Sequence, residues 1–261
     1  MAKKLGFALG AGGSRGVAHI GFLKAMEEEG IKPDYISGCS MGSVVGSCYA
    51  LGMTPDQMME EVNNLKFMDI FDLSLAPLRN GALLRAKKMY KKLQTYLKDY
   101  TFDQLKIPFT CVATDLVSGK LVTFGGTNKV VDAVVASSSI PGIFRPKVIE
   151  DKVCVDGGVM CRVPVQQVKD MGAEVVVAVD VLGEVKKVEK KLNMVSVIFR
   201  VYDIMDFEAS CINKNTNQPD LYIEPDLGDM VQYKFKGIDT AFEIGYQTGK
   251  TYANKIKDLI K

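Results

Sequence analysis

Leu5-Gly6-Phe7-Ala8-Leu9, then Gly10-Ala11-Gly12-Gly13-Ser14-Arg15-Gly16, then Val17–Glu29: this opening stretch decides the fold. Leu5–Leu9 carries no charge and reads as a short buried strand. The glycine-rich turn Gly10–Gly16 follows it. Val17–Glu29 then has helical spacing, with Ile20, Leu23 and Ala25 apolar, Glu27-Glu28-Glu29 charged and Gly30 as the stop. The same unit comes again at once. Asp34–Ser37 is strand-like, Met41–Leu51 is a helix of small residues ended by Gly52, and Thr54-Pro55-Asp56 starts another helix, with Thr54 as cap and Pro55 in the first position. Further along, Pro108–Thr114 and Lys120–Phe124 read as strands joined at Ser118-Gly119, and Val130–Ser138 as a helix. Lys147–Ile149 and Val153–Val155 read as a hairpin across Glu150-Asp151, and Glu174–Val181 as a fully buried parallel strand. Helices are expected over Arg85–Tyr100, Lys190–Asn213 and Ile238–Ile260, with a last strand at Leu221–Glu224. This alternation predicts an α/β fold, a three-layer α/β/α arrangement around a mostly parallel central sheet. No repeat or polar linker divides residues 1–261, so a single domain is expected.

Composition narrows the function classes. Of 261 residues, 47% are apolar and 25% charged, which excludes a wholly disordered, collagen-like or coiled-coil chain. Thirty-three Lys and Arg against 31 Asp and Glu give a net charge of +2, which argues against a nucleic-acid partner. The six cysteines include no C-x-x-C pair, and His19 is the single histidine, so no metal site is expected. Their scatter through apolar stretches reads as reduced, mostly buried thiols in a cytoplasmic protein. Lys3-Lys4 before Leu5–Gly13 mimics a signal peptide, but the apolar part is short and Arg15 follows directly. No apolar run approaches the ~18 residues of a spanning helix. No feature of the sequence speaks to oligomeric state.

Three places can carry chemistry. Gly10–Gly16 can turn backbone N–H groups toward one point at a helix N-terminus. It lacks the third glycine of a dinucleotide fingerprint, where Arg15 stands, and the Lys-Ser/Thr of a phosphate-binding loop, so no cofactor is implied. Gly38-Cys39-Ser40-Met41-Gly42 is G-x-S-x-G between a strand and a helix, the context of a nucleophile elbow. A serine nucleophile needs a base, and His19 precedes the serine, inside a helix, where a solvated or half-buried polar position is the ordinary reading. A desolvated carboxylate is the other route, because burial raises its basicity. Val155-Asp156-Gly157-Gly158 can present such a carboxylate at a strand end. Asp115, read as a turn former, and Asp180, read as a sheet-end or capping residue, compete with it, and these roles alone leave the choice open.

Taken together, strand–AGGSRG–helix, G-C-S-M-G and D-G-G resemble the patatin-like phospholipases, in particular the short bacterial members. The resemblance runs from about Leu5 to Pro164 and includes His19-Ile20-Gly21 and the Ser137-Ser138-Ser139-Ile140-Pro141-Gly142 turn. It implies hydrolysis of acyl esters in phospholipids and related lipids by a Ser–Asp dyad without histidine. By position it implies Ser40 as nucleophile and Asp156 as base. Gly12, Gly13 and the following Ser14 and Arg15 backbone are implied as the oxyanion hole, with Arg15 helping to hold that loop. Two departures stand out: Ala11 replaces the first of three glycines, and Cys161-Arg162 replaces small or polar residues.

The apolar stretch Phe67, Met68, Ile70, Phe71, Leu73, Leu75, Leu78 has the character of an acyl groove or lid, and Lys87, Lys88, Lys91 and Lys92 could meet anionic head groups. Core packing followed by a solvated charged face is the preferred reading. Peripheral contact with a membrane therefore stays open, with no stable anchor. Rival functions on the same residues are a short-chain esterase or thioesterase, and a regulatory protein with little turnover.

Overall fold

A computed structural model of the chain describes residues 2–65, 84–183, 194–228, 230 and 237–261. The apolar segment from Phe67 to Leu78 and the first residues of the helix expected from Lys190 lie outside the described residues.

Eight strands form one sheet: β1 (Leu5–Leu9), β2 (Tyr35–Cys39), β3 (Phe109–Asp115), β4 (Lys120–Phe124), β5 (Lys147–Ile149), β6 (Lys152–Asp156), β7 (Val175–Val179) and β8 (Leu221–Ile223). Hydrogen-bonded neighbours run β5-β6-β3-β2-β1-β7-β8, and β4 also pairs with β3. The central strands β3, β2, β1, β7 and β8 are parallel, as expected, while β4 and β6 run against β3. The register on β3 matters for the site. Residues 111–115 of β3 pair with β4 along one edge. On the other edge β2 occupies Phe109 to Val112 and β6 takes over from Ala113 to Asp115. Cys39 is opposite Val112 and Asp156 opposite Ala113, so β2 and β6 meet end to end.

The helices are α1 (Val17–Glu28), α2 (Met41–Leu51), α3 (Pro55–Asn64), α4 (Lys87–Leu97), α5 (Val130–Ser137), α6 (Val165–Asp170), α7 (Met194–Thr216) and α8 (Ile238–Leu259). Strand alternation sorts side chains onto two faces. Leu5, Phe7 and Leu9 of β1 join the large core with Phe22, Leu23, Val45 and Ile256 from α1, α2 and α8. Ala8 packs on the other face with Val165, Val168 and Val176. Thr54 caps α3 with Pro55 in the first turn, as expected, and Gln57 completes a reciprocal capping box that the sequence reading did not include. In α4 the buried residues are Met89, Leu93 and Leu97, while Lys87 and Lys91 are exposed and Lys92 pairs with Glu61 at 3.2 Å. The chain ends are tied together where α8 packs on α1: Gly245 sits against the Ala18 carbonyl, and Lys250 and Lys257 pair with Glu29 at 2.9 and 2.7 Å. Among the described residues no helix is long and apolar enough to cross a membrane. Five of the six cysteines are buried free thiols and Cys211 is a half-buried one.

Candidate active site

The parallel strands β1 and β2 end side by side, Leu9 against Gly38, so the loops that follow them lie together at one edge of the sheet. The chain leaves β2 through Ser40 at φ 50°, ψ −122°, and enters α2 at Met41. A left-handed φ on a non-glycine residue costs about 1–3 kcal/mol and persists only where its surroundings hold it. Here Ser40 N–H donates to Ser137 Oγ at 2.9 Å, and Ser40 O accepts from Ser43 N–H at 2.9 Å and Ser43 Oγ at 2.6 Å. The turn is tight enough that a Cβ on Gly42 would overlap the Leu9 and Gly10 carbonyls, and one on Gly38 would lie 2.6 Å from Ser43 Cα. Glycine at both positions is what allows the elbow to form.

Asp156 ends β6, on the β3 edge that β2 has just left. Its N–H donates to Ser139 O at 2.9 Å, and its Oδ1 accepts from Gly158 N–H at 2.9 Å. Ser40 Oγ donates to Oδ2 at 2.7 Å. Both residues are buried, Asp156 completely. Burial pushes the Asp156 carboxyl up to about 6, with the Ser40 hydroxyl, the Gly158 amide, the Tyr202 phenol and the Cys39 thiol acting in the opposite direction. A carboxylate in this state is still ionised at neutral pH but is a stronger base than a free aspartate.

The first glycine loop lies against the elbow. A Cβ on Gly16 would strike the Met41 side chain, and Gly12 is packed against Val181. Gly10 N–H donates to Val179 O at 2.9 Å, Ala11 N–H to Arg162 O at 3.0 Å and Arg15 N–H to Gly12 O at 3.0 Å. Among the described residues the Gly12 and Gly13 amides have no backbone acceptor. Gly13, at φ 50°, opens the short 3-10 turn Gly13–Gly16 that leads into α1. Arg15 takes part in the loop through its backbone, while its Nε is buried without a partner among the described residues.

The competing residues resolve differently from one another. Asp115 organises the β3–β4 turn, accepting from Val117 N–H at 3.1 Å, Ser118 N–H at 3.1 Å, Ser118 Oγ at 2.6 Å and, across the sheet, Val153 N–H at 3.0 Å. Those bonds, Ser118 Oγ first, hold its carboxyl down at about 2. Asp180 is more than a cap: it binds Arg162 through Nε at 2.9 Å and Nη2 at 2.7 Å, both side chains fully buried. His19 corrects the expectation of a solvated or half-buried position. It is completely buried, its Nε2 lies 2.8 Å from Gly10 O, and desolvation lowers it to about 4. It is therefore a neutral imidazole whose Nε2–H donates to the start of the glycine loop. Ser137, which holds the elbow amide, stood in the sequence only as part of a serine run. Tyr202 and Asp206 of α7, which reach the far side of Asp156, carried no local signal.

Comparison with known proteins identifies the family and the fold. The family model of patatin-like phospholipase matches residues 7–169. An NTE family protein of Mycobacterium tuberculosis is 34% identical over 181 residues, covering 69% of this chain and 49% of its own length. Lysophospholipase nte1 of Aspergillus fumigatus is 26% identical over 283 residues, covering 98% of this chain and 18% of its own. The chain thus spans about half the length of the first relative and about a fifth of the second. Among solved structures, VipD from Legionella pneumophila shares the fold with a TM-score of 0.61 at 13% identity, over 97% of this chain and 67% of that one.

Proposed function

The chain belongs to the patatin-like phospholipase family, and from that premise we propose that it is a serine lipid acyl hydrolase, of phospholipase A or lysophospholipase type, working through Ser40 and Asp156. The observation that carries this reading is the 2.7 Å bond from Ser40 Oγ to a buried Asp156 carboxylate. Asp156 Oδ2 accepts the serine proton as Oγ attacks the ester carbonyl carbon. The negative charge that develops on the carbonyl oxygen meets the Gly12 and Gly13 amides, with Ser14 and Arg15 continuing the loop. As the tetrahedral adduct collapses, Asp156 returns the proton to the leaving alcohol, and Ser40 holds the acyl group as an ester. Water then repeats the sequence: it gives a proton to Asp156, attacks the acyl carbon and releases the fatty acid as Ser40 recovers its hydrogen. His19 has no part in these steps, because the Ser40 hydroxyl donates to Asp156 and the His19 ring is turned to Gly10 O.

In this reading residues 1–261 form one hydrolase domain that meets its lipid at a surface from the cytosolic side, where free thiols are kept reduced. The test is Ser40→Ala. It should lose labelling by a fluorophosphonate probe and hydrolysis of phospholipid and lysophospholipid vesicles while keeping its circular dichroism. Labelling of another serine at the native rate would overturn the nucleophile. Turnover confined to short soluble esters or thioesters would transfer the same dyad to the esterase reading.

A further inference from the structure

Asp156 has a second side, away from Ser40, and α7 covers it. The three-residue turn Gly157–Val159 follows Asp156 directly. At the position where a Cβ on Gly158 would sit, three oxygens converge. The Tyr202 hydroxyl would be overlapped, Asp206 Oδ1 lies 2.8 Å away and Asp156 Oδ1 3.2 Å away. Tyr202 and Asp206 are one helical turn apart on α7 and both are buried. The Tyr202 hydroxyl is near enough to draw the Asp156 carboxyl down, yet neither it nor Asp206 Oδ1 makes a hydrogen bond of ordinary geometry among the described residues. A buried polar atom without a partner is costly and calls for an explanation.

The far end of this cluster is anchored in the sheet. Arg162 Nη1 reaches Asp206 Oδ2 at 3.4 Å, and Nη2 donates to Gly183 O at 2.8 Å. The same guanidinium holds Asp180, which also accepts from Tyr222 Oη at 2.8 Å and Leu182 N–H at 3.0 Å. One cation thus faces two carboxyls, and its short bonds go to Asp180. Burial pushes Asp206 well above the usual carboxylate range, with Asp180 and Asp156 adding to the rise against Arg162. Tyr202 stays a neutral phenol, raised first by burial and then by Asp156 and Asp206. Asp156 is therefore faced by Ser40 and Cys39 from the elbow and by Tyr202 and Asp206 from α7. Arg162 lies behind Asp206.

We propose that Tyr202 is a positioning residue for Asp156. Its hydroxyl, held over Gly158 by α7, donates toward Oδ1 during the reaction and keeps Oδ2 turned to Ser40, while the Asp206–Arg162–Asp180 cluster fixes the helix that carries it. This rests on the Ser40–Asp156 reading and extends it: the base has one donor from its own turn and a second from a helix late in the chain. The second glycine of the Asp156-Gly157-Gly158 run is then required because any side chain there would displace the phenol.

The test compares the native chain, Tyr202→Phe, Asp206→Asn and Ser40→Ala. Two readouts are used: kcat and KM on a soluble chromogenic acyl ester, and the rate of fluorophosphonate labelling of Ser40 against pH. Removing a donor that favours ionised Asp156 raises its pKa, so the acid limb of both profiles should move to higher pH by about one unit. For Tyr202→Phe kcat should fall roughly ten- to hundredfold with KM within about twofold. Asp206→Asn should move both readouts the same way by less. A folded Tyr202→Phe with the native acid limb and native kcat overturns the proposal, and so does a loss confined to KM. Should Tyr202→Phe fail to fold, Asp206→Asn decides by the same limb. If Ser40→Ala keeps labelling and turnover, the dyad reading has failed and the proposal falls with it. A native limb that depends on Ser40 but ignores Tyr202 overturns the proposal alone.

Discussion

The pocket of His19 and the pocket of Asp156 stand within one active-site region and are both sealed from solvent. Burial acts on each in the same physical way, by disfavouring the charged form, yet the results diverge. The imidazole is driven down to about 4 and the carboxyl up to about 6. His19 becomes a neutral fixture whose Nε2–H is spent on the Gly10 carbonyl. Asp156 becomes a carboxylate of raised basicity whose Oδ2 faces the Ser40 hydroxyl. The difference lies in what each group faces. A neutral imidazole tied to a carbonyl holds the loop in place, and its other nitrogen, Nδ1, has no partner among the described residues. A carboxylate with one oxygen on a backbone amide still has the other for the nucleophile.

The largest effect should separate the two pockets by activity. Asp156→Asn is expected to lower turnover of a chromogenic acyl ester by ~10²–10⁴ or more, since an amide cannot take the serine proton. His19→Gln should stay within about tenfold of the native chain, because glutamine can still donate to the Gly10 carbonyl. A dead His19→Gln beside an active Asp156→Asn would reverse the assignment and make His19 the base.

Next in size is the loop that His19 supports. Gly13→Val should reduce kcat by ~10²–10³ with little change in KM, as expected of a donor that strengthens only in the transition state. Native turnover by a folded Gly13→Val protein would remove the loop from the oxyanion role.

The smallest effect, and the sharpest comparison, is in stability against pH. Asp156 is raised from 3.8 to about 6. The native state therefore holds the extra proton in that window, and its contribution to stability falls as pH rises through it, by up to about 3 kcal/mol. His19 is lowered from 6.5 to about 4. Here the unfolded chain holds the extra proton, so the His19 contribution is complete above 6.5 and is lost toward 4, by a similar amount of about 3 kcal/mol. The two slopes oppose each other. Urea unfolding between pH 4 and 7 should show Asp156→Asn gaining stability with rising pH relative to the native chain, and His19→Gln losing it. Parallel profiles for the two variants would mean that these groups are not buried as described.

The elbow was legible because its physics is local: glycines on either side of Ser40 and a strand-to-helix change are all written within five residues. The carboxylate that meets Ser40 was not legible by the same means. Asp115, Asp156 and Asp180 all stand at strand ends. Only the pairing of β3, with β2 stopping at Val112 and β6 at Ala113, brings Asp156 to the serine. Asp115 is occupied by its own turn and Asp180 by Arg162. His19 was misplaced for a related reason. Its ring turns inward to the Gly10 carbonyl and lies beside Gly16, so the glycine loop folded back over α1 takes it out of water.

The sequence by itself determined the local devices: a strained serine turn, a glycine loop at a helix start, an aspartate before two glycines, and the order of strands and helices that presents them on one sheet. These depend on backbone conformations that neighbouring residues permit or forbid. Only the tertiary structure decided which carboxylate meets Ser40, that His19 is neutral, and that Tyr202 and Asp206 close over Asp156. Desolvation and hydrogen bonding of a buried group are set by whatever packs around it, and for Asp156 those neighbours come from the end of β2, from β3 and from α7, far away along the chain.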